Sequence, residues 1–263
     1  VNSLMTGATA IAIGTHALFQ DDVEVKDLAF VVVDEQHRFG VHQRLALAEK
    51  GAAADILVMT ATPIPRTLMM TAYGDLETSR LIDKPAGRKP IETRVLPISR
   101  LEEVVDRLRG AIPRGARVYW VCPLVEDSEV LDLAAATERH AALAQRFGER
   151  VGLIHGRLKA TEKDAVMTKF AAGDLDILVA TTVIEVGVDV PEATIMVIEQ
   201  AERFGLAQLH QLRGRVGRGQ AKSSCLLLYS EPLARTARER LKVMRDTDDG
   251  FVIAEEDLRL RGA

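Results

Sequence analysis

Residues 28–35 read Leu-Ala-Phe-Val-Val-Val-Asp-Glu, and residues 55–63 read Asp-Ile-Leu-Val-Met-Thr-Ala-Thr-Pro. Each is an apolar run of strand length that breaks into carboxylates or hydroxyls. A strand apolar at consecutive positions has to be covered on both faces, which is the condition of a parallel sheet with helices on either side. The same grammar recurs at 92–96, 117–122, 151–154, 176–180, 194–198 and 223–229. Between the runs lie stretches of helical period. Leu101, Val104, Val105 and Leu108 form one apolar stripe, with Ser99 and Glu102 ahead of it at capping-box spacing. Thr161 and Asp164 stand in the same relation to Val166 and Phe170, and Gly173 supplies the stop. Strand and helix in repeated alternation predict a doubly wound α/β fold.

Residues 84–90, Lys-Pro-Ala-Gly-Arg-Lys-Pro, concentrate proline, glycine and charge where no apolar period continues. This sets a linker at 85–91. Residues 1–84 hold too few strands to close a sheet, whereas 92–230 hold enough for a complete α/β unit. From 231 to 263 the alternation stops and a charged helical extension follows, with Leu233, Ala237, Leu241 and Met244 at helical spacing.

Composition narrows the class. With 47% apolar residues over 263 positions and charge dispersed along the chain, the sequence has material for sizeable cores and describes a folded protein. A net charge of −4 argues against a protein that coats nucleic acid through bulk positive charge. Any such contact has to be local, and the candidate patch is Arg203, Arg213, Arg215, Arg218 and Lys222. No apolar run approaches the ~18 residues that span a bilayer, and the first residues lack the pattern of a secretory leader, so no membrane partner and a cytoplasmic location are expected. Cys122 and Cys225 have no CxxC spacing and read as reduced core residues. His16, His37, His155 and His210 lack zinc-ligand spacing and read as solvated or hydrogen-bonded.

The chemistry sits where the apolar runs end. Asp34 and Glu35 stand at the carboxyl end of a buried strand, the edge at which open α/β sheets bind ligands. A strand ending in Asp-Glu is the pattern of a Walker B element: the aspartate holds Mg²⁺ through water and the glutamate orients or deprotonates the attacking water. The same pair can also simply begin a solvated loop. Thr60 and Thr62 follow the next run in the same way. Thr181, Thr182, Glu185, Gly187 and Asp189 follow the run ending at Ala180. Residues 211–218, Gln-Leu-Arg-Gly-Arg-Val-Gly-Arg, interleave arginine with glycine at a helix end. Glycine lets the backbone pass close by while planar guanidinium forks reach phosphate oxygens. A generic basic surface loop is the alternative.

Taken in order, these elements resemble those of superfamily-2 helicases, and specifically the RecG-type branch-migration helicases, with the transcription-repair coupling factor Mfd as the neighbouring branch. Gly14, Thr15, His16, Ala17 and Leu18 resemble motif Ib; 34–40, Asp-Glu-Gln-His-Arg-Phe-Gly, motif II; and 60–66, Thr-Ala-Thr-Pro-Ile-Pro-Arg, motif III. Residues 118–126 fall where motif IV lies, His155-Gly156-Arg157-Leu158 resembles the element after it, and 181–191 and 208–218 are similar to motifs V and VI. Asp34-Glu35-Gln36-His37 and the Pro-Ala-Gly-Arg linker are closer to RecG than to Mfd.

The resemblance implies RecA-like parallel-sheet domains, one partial and one complete, with a C-terminal helical extension. It implies ATP and Mg²⁺ as cofactors and forked or branched duplex DNA as partner. Asp34 would hold Mg²⁺ through water, Glu35 would be the catalytic base, and Gln36 and His37 would link nucleotide state to the other motifs. Thr60 and Thr62 would relay that state; Gly187, Asp189 and Gln211 would complete the nucleotide site, and Arg215 and Arg218 would reach it as arginine fingers. Gly14, Thr15, His16, His155, Gly156, Arg157, Thr181 and Thr182 would touch the DNA backbone, tracking phosphate without reading sequence. Residues 235–262 resemble the start of the helical hairpin that couples the motor to duplex translocation. No Gly-x-x-x-x-Gly-Lys-Ser/Thr occurs in the chain. The expectation is therefore a fragment without useful ATPase activity from a parent that has it. An Mfd-like translocase and a non-catalytic DNA-binding module that keeps the fold are the alternatives.

Overall fold

A computed structural model describes residues 2–20, 22–35, 54–61, 77–83, 87–123, 129–181 and 190–262. The chain divides into two compact units, 1–63 and 64–263.

The first unit carries a short helix α1 (Asn2–Met5), a single 3-10 turn at His16–Phe19, and two strands, β1 (Phe30–Val33) and β2 (Asp55–Val58). β1 and β2 pair in parallel with Phe30 opposite Asp55 and Val33 opposite Val58. The expected run at 28–33 thus forms a strand only over its last four residues.

The second unit contains β3 (Ile91–Pro97), α2 (Leu101–Ala111), β4 (Arg117–Val121), α3 (Glu129–Phe147), β5 (Val151–Ile154), α4 (Ala160–Ala172), β6 (Ile177–Ala180), β7 (Ala193–Ile198), α5 (Leu206–Arg213), β8 (Ser223–Tyr229), α6 (Arg235–Asp246) and α7 (Gly250–Arg261). Among the described residues its six strands are all parallel, in the order β3-β8-β7-β4-β6-β5. The architecture is the parallel α/β fold expected from the sequence.

Alternation along the strands builds a core on each face of this sheet. Tyr119 and Val121 of β4 face a cluster with Met167 and Phe170 of α4, Leu206 and Leu209 of α5, Leu241 and Met244 of α6 and Ile253 of α7. Val118 and Trp120 face the other cluster, with Val104, Val105 and Leu108 of α2 and Ala136 and Leu143 of α3. Burial at both faces explains why the central runs are apolar at every position. Each fully buried large side chain contributes about 1.5–3 kcal/mol of burial free energy. Tyr119 and Phe170 meet with ring centroids 5.0 Å apart at a tilted 58°, an arrangement favoured by aromatic quadrupoles.

The helix ends differ from the expected caps. α2 is entered through a 3-10 turn at Ile98–Arg100, so Arg100 and not Ser99 takes the cap position, with no side-chain capping bond. Arg100 instead donates to Glu103, and Glu102 binds Arg146 of α3. α4 begins two residues earlier than the Thr161 pattern implies. Lys159 takes the cap, and its amide donates to Glu162 Oε2 at 2.8 Å. Gly173 ends α4 as expected, at φ 89°, with its amide on the carbonyls of Lys169 and Phe170. Ala237, Leu241 and Met244 form the buried stripe of α6. α7 is capped by Asp249, whose carboxylate accepts from the amide of Phe251, and it packs on α5 and α6. No helix among the described residues is long and apolar enough to cross a membrane.

Candidate functional site

In the first unit, the parallel register brings two polar segments to one sheet edge. Asp34 directly follows β1, and the amide of Met59, the first residue after β2, donates to the carbonyl of Val33 at 2.8 Å. Asp34, Glu35 and Thr60 therefore leave neighbouring strands at the same carboxyl end. Asp34 is exposed and Glu35 half-buried. Asp34 Oδ1 accepts the Glu35 amide at 2.8 Å, which restrains the carboxylate. Glu35 itself sits at φ 52°, a backbone region that a non-glycine residue occupies at a cost of about 1–3 kcal/mol and that clusters at ligand sites. Two carboxylates of this kind are a hard oxygen donor set that suits Mg²⁺ with its waters retained. Gln36, His37 and Thr62 lie outside the described residues.

Gly14 and Thr15 lead into the 3-10 turn at His16–Phe19, with the Leu18 amide on the Thr15 carbonyl at 3.0 Å. Gly14 fits closely against Leu18 there. A β-carbon would come within 2.9 Å of Leu18 Cγ. The exposed Gly14 and Thr15 thus present backbone at the surface.

In the second unit, Ile154 of β5 pairs with Ala180 of β6, so His155 and Thr181 emerge side by side, and the Thr181 amide donates to the Ile154 carbonyl at 3.2 Å. Thr181 is buried, whereas Gly156 and Arg157 are exposed. The Leu158 amide closes a turn on the His155 carbonyl at 3.2 Å, and Lys163 of α4 donates to the Gly156 carbonyl. His155 Nδ1 is buried without a partner. Its pKa is held below the usual value of 6.5, first by burial and then by the positive charges of Lys163 and Arg157. A neutral imidazole beside two cations is a hydrogen-bonding group set in a positive field. Thr182, Gly187 and Asp189 lie outside the described residues.

The arginine segment follows α5. Gln211 is exposed on that helix. The amides of Gly214, Arg215 and Val216 donate to the carbonyls of His210, Leu212 and Arg213, so the helix closes into a tight turn. Gly217 completes it at φ 74°, where a β-carbon would also lie 2.9 Å from Ile91 Cγ1. Arg88 Nε clamps the Gly217 carbonyl at 3.1 Å. Arg215 and Arg218 thus share one turn of fixed shape. Arg218 is exposed, with Nε on the Gly214 carbonyl at 3.2 Å.

The basic patch needs correction at one position. Arg213 is 3% exposed, and Nη1 donates to the carbonyls of Met244 and Thr247 at 2.8 and 2.9 Å. It points into the protein because its helix turn faces the end of α6, and it fastens those two helices instead of offering charge to solvent. Arg203, Arg218 and Lys222 are exposed.

A cluster that the sequence reading passed over lies at the end of β7. Glu199 is 8% exposed and accepts from Trp120 Nε1 and from Arg139 Nε, and Arg139 Nη2 reaches its second oxygen at 3.0 Å. The Arg139 guanidinium also lies 5.7 Å from the centroid of the Trp120 ring. Burial pushes the nearby Cys122 thiol far up, with Glu199 adding to the effect, and pushes the Cys225 thiol up to about 12. Both cysteines are free and buried, as expected for reduced core residues. The available signal was an acid ending an apolar run, together with the one tryptophan in the chain.

Fold and edges together are those of the RecA-like α/β class, and comparison with known proteins narrows the branch. Residues 1–71 match the DEAD/DEAH box helicase family, and residues 99–220 match the helicase conserved C-terminal domain. ATP-dependent DNA helicase RecG of Escherichia coli strain K12 is 55% identical over 99% of this chain, and its namesake from Acidithiobacillus ferridurans is 58% identical over 99%. The chain spans 38% of the length of each. A solved structure of RecG bound to a three-way DNA junction matches 95% of this chain and 32% of its own at 48% identity, with a TM-score of 0.75. Dbp5 of S. cerevisiae, bound to RNA and ADP BeF3, covers 94% of this chain and 66% of its own, at 14% identity and a TM-score of 0.61, which reflects the fold alone. Over nearly its whole length the chain is similar to the RecG-type superfamily-2 helicases.

Proposed function

We propose that this chain forms part of an ATP-dependent DNA helicase or translocase that acts in the cytoplasm on forked or branched duplex DNA in recombination and repair. In this reading 1–84 and 92–230 belong to two RecA-like domains joined by 85–91, and 231–263 begins the extension that couples them to duplex movement. The observation that carries it is the chemistry of two polar segments of the chain. Asp34 and Glu35 leave a parallel strand at its carboxyl end, and Arg215 and Arg218 share one glycine turn.

Asp34 would hold hydrated Mg²⁺, which supplies charge neutralisation at the phosphates when ATP is bound. Glu35 accepts the proton of the attacking water, with Gln36 and His37 beside it in sequence. Thr60 and Thr62 follow the neighbouring strand as hydroxyl relays. Arg215 and Arg218 bring the cationic forks that stabilise charge on the transferring phosphoryl group, and Gln211, Gly187 and Asp189 accompany them. Gly14, Thr15, His16, His155, Gly156, Arg157 and Thr182 track DNA phosphates, and the buried Thr181 supports that edge from behind. Local contacts of this kind are compatible with a net charge of −4.

The test uses a protein of the relatives' full length that carries this chain. Arg218→Ala is expected to lower ATP turnover by ~10³–10⁵-fold while DNA affinity is retained; turnover at the parent rate removes Arg218 from the reaction. ATPase rates compared with forked, duplex and single-stranded DNA should be highest with forked DNA. Stimulation by RNA alone would overturn the DNA reading.

A further inference from the structure

Arg213 is a buried cation without a bonded counter-charge. Its Nη1 is shared among three neutral oxygens, the carbonyls of Met244 and Thr247 and the hydroxyl of Thr93. Its Nη2 is buried with no partner. Placing a charge in the interior in this state is costly unless an opposite charge and further hydrogen bonds meet it.

Beside it lies a cavity of about 120 Å³, whose lining includes Arg213, Arg88, Lys89 and Asp248. A single water needs only ~10–15 Å³ of such space, so the cavity admits a larger guest. Arg88 is held in place by its Nε on the Gly217 carbonyl, and its outer nitrogens bond no other described residue. Lys89 is exposed. Three cations and one carboxylate leave two positive charges around the cavity. Guanidinium forks pair best with planar or tetrahedral oxyanions, and the pairing strengthens where water is partly excluded.

We propose that this cavity is a binding site for an oxyanion of the phosphate class, held by Arg88, Lys89 and Arg213 and weakened by Asp248. The inference goes beyond the nucleotide reading, since neither Arg215 nor Arg218 lines the cavity. The oxyanion has two possible sources, a phosphate of the DNA backbone or free inorganic phosphate. The site joins the segment at 88–89, the end of the arginine-bearing helix and the connection between α6 and α7, so an occupant would tie these three elements together.

The experiment is calorimetric titration of the 263-residue chain with inorganic phosphate at low ionic strength. Saturable binding is expected. Lys89→Gln should weaken it by about fivefold or more through the lost cation, and Asp248→Asn should tighten it by a similar factor. Arg88→Gln should also weaken it, and thermal melting of each variant checks that the fold is kept. Lys89 is exposed and makes no bond among the described residues, so its variant tests the site with little effect on folding. A short DNA duplex is then titrated into phosphate-saturated chain. Displacement of phosphate, with duplex affinity reduced in Lys89→Gln, assigns the site to backbone phosphate; undisturbed phosphate binding assigns it to the free ion. Absence of saturable binding, or equal affinity in wild type, Lys89→Gln and Asp248→Asn, overturns the proposal.

Discussion

Asp34 and Glu199 each end an apolar strand, and their fates are opposite. Asp34 follows β1 and is exposed, tied among the described residues to the next amide, whereas Glu199 follows β7 and is 8% exposed, held by an indole and a guanidinium. In sequence the two positions look alike: a run of valine or isoleucine, then a carboxylate. What separates them is what arrives from elsewhere. Arg139 lies 60 positions before Glu199, on a helix that packs over the sheet, and it turns an edge carboxylate into a fastening between strand and helix. Among the described residues no such cation reaches Asp34, which stays exposed.

The same contrast runs through the strands themselves. Phe30 and Val32 of β1 are 56% and 50% exposed, while Trp120, Ile177, Leu178 and Val179 in the second sheet are fully buried. The largest expected effect therefore separates two phenylalanines. Phe170→Ala should cost about 3–5 kcal/mol in chemical denaturation, and Phe30→Ala well under that, because only the first leaves a cavity among packed neighbours. Equal costs would break the comparison.

The next effect concerns the acids. Glu199→Ala should cost about 3 kcal/mol, at the low end for a broken buried ion pair, since the Arg139 side chain retains 23% exposure. Asp34→Ala should change stability by no more than about 0.5 kcal/mol. Fluorescence of Trp120 reports the break directly, because its indole N–H bonds the lost carboxylate. An unchanged spectrum in Glu199→Ala would mean that the indole has no such partner in solution.

The smallest pair lies at helix entrances. Asp249→Ala should cost about 1 kcal/mol by removing the cap of α7. Ser99→Ala should cost a few tenths at most, since that hydroxyl caps nothing. A cost of about 1 kcal/mol for Ser99→Ala would restore the capping box that its spacing suggests.

These cases mark how far the sequence can be read. The runs at 151–154 and 223–229 coincide with β5 and β8, because strands buried on both faces write an uninterrupted apolar signature. Gly173 was legible as a stop for the same local reason: a left-handed residue ends a helix whatever surrounds it. The caps at Ser99 and Thr161 were misread because Ser, Thr, Asp and Glu are equally at home on an exposed helix face. There Glu102 found a cross-helix partner in Arg146 that spacing alone does not announce. Among the candidate site residues, the chain positions of Asp34, Glu35, Arg215 and Arg218 were legible, since each stands beside a strong local boundary.

By itself the sequence determined the alternation of strands and helices, the parallel class of the sheet and the places where acids and arginines leave it. All of these are carried by periodicity and by chemistry between chain neighbours. Only the tertiary structure decided that Arg213 turns inward to fasten α6, that Glu199 is a buried link while Asp34 is not, and that Arg88 reaches across 129 positions to the glycine turn. Desolvation and charge pairing depend on which distant elements converge at a point, and no local pattern records that convergence.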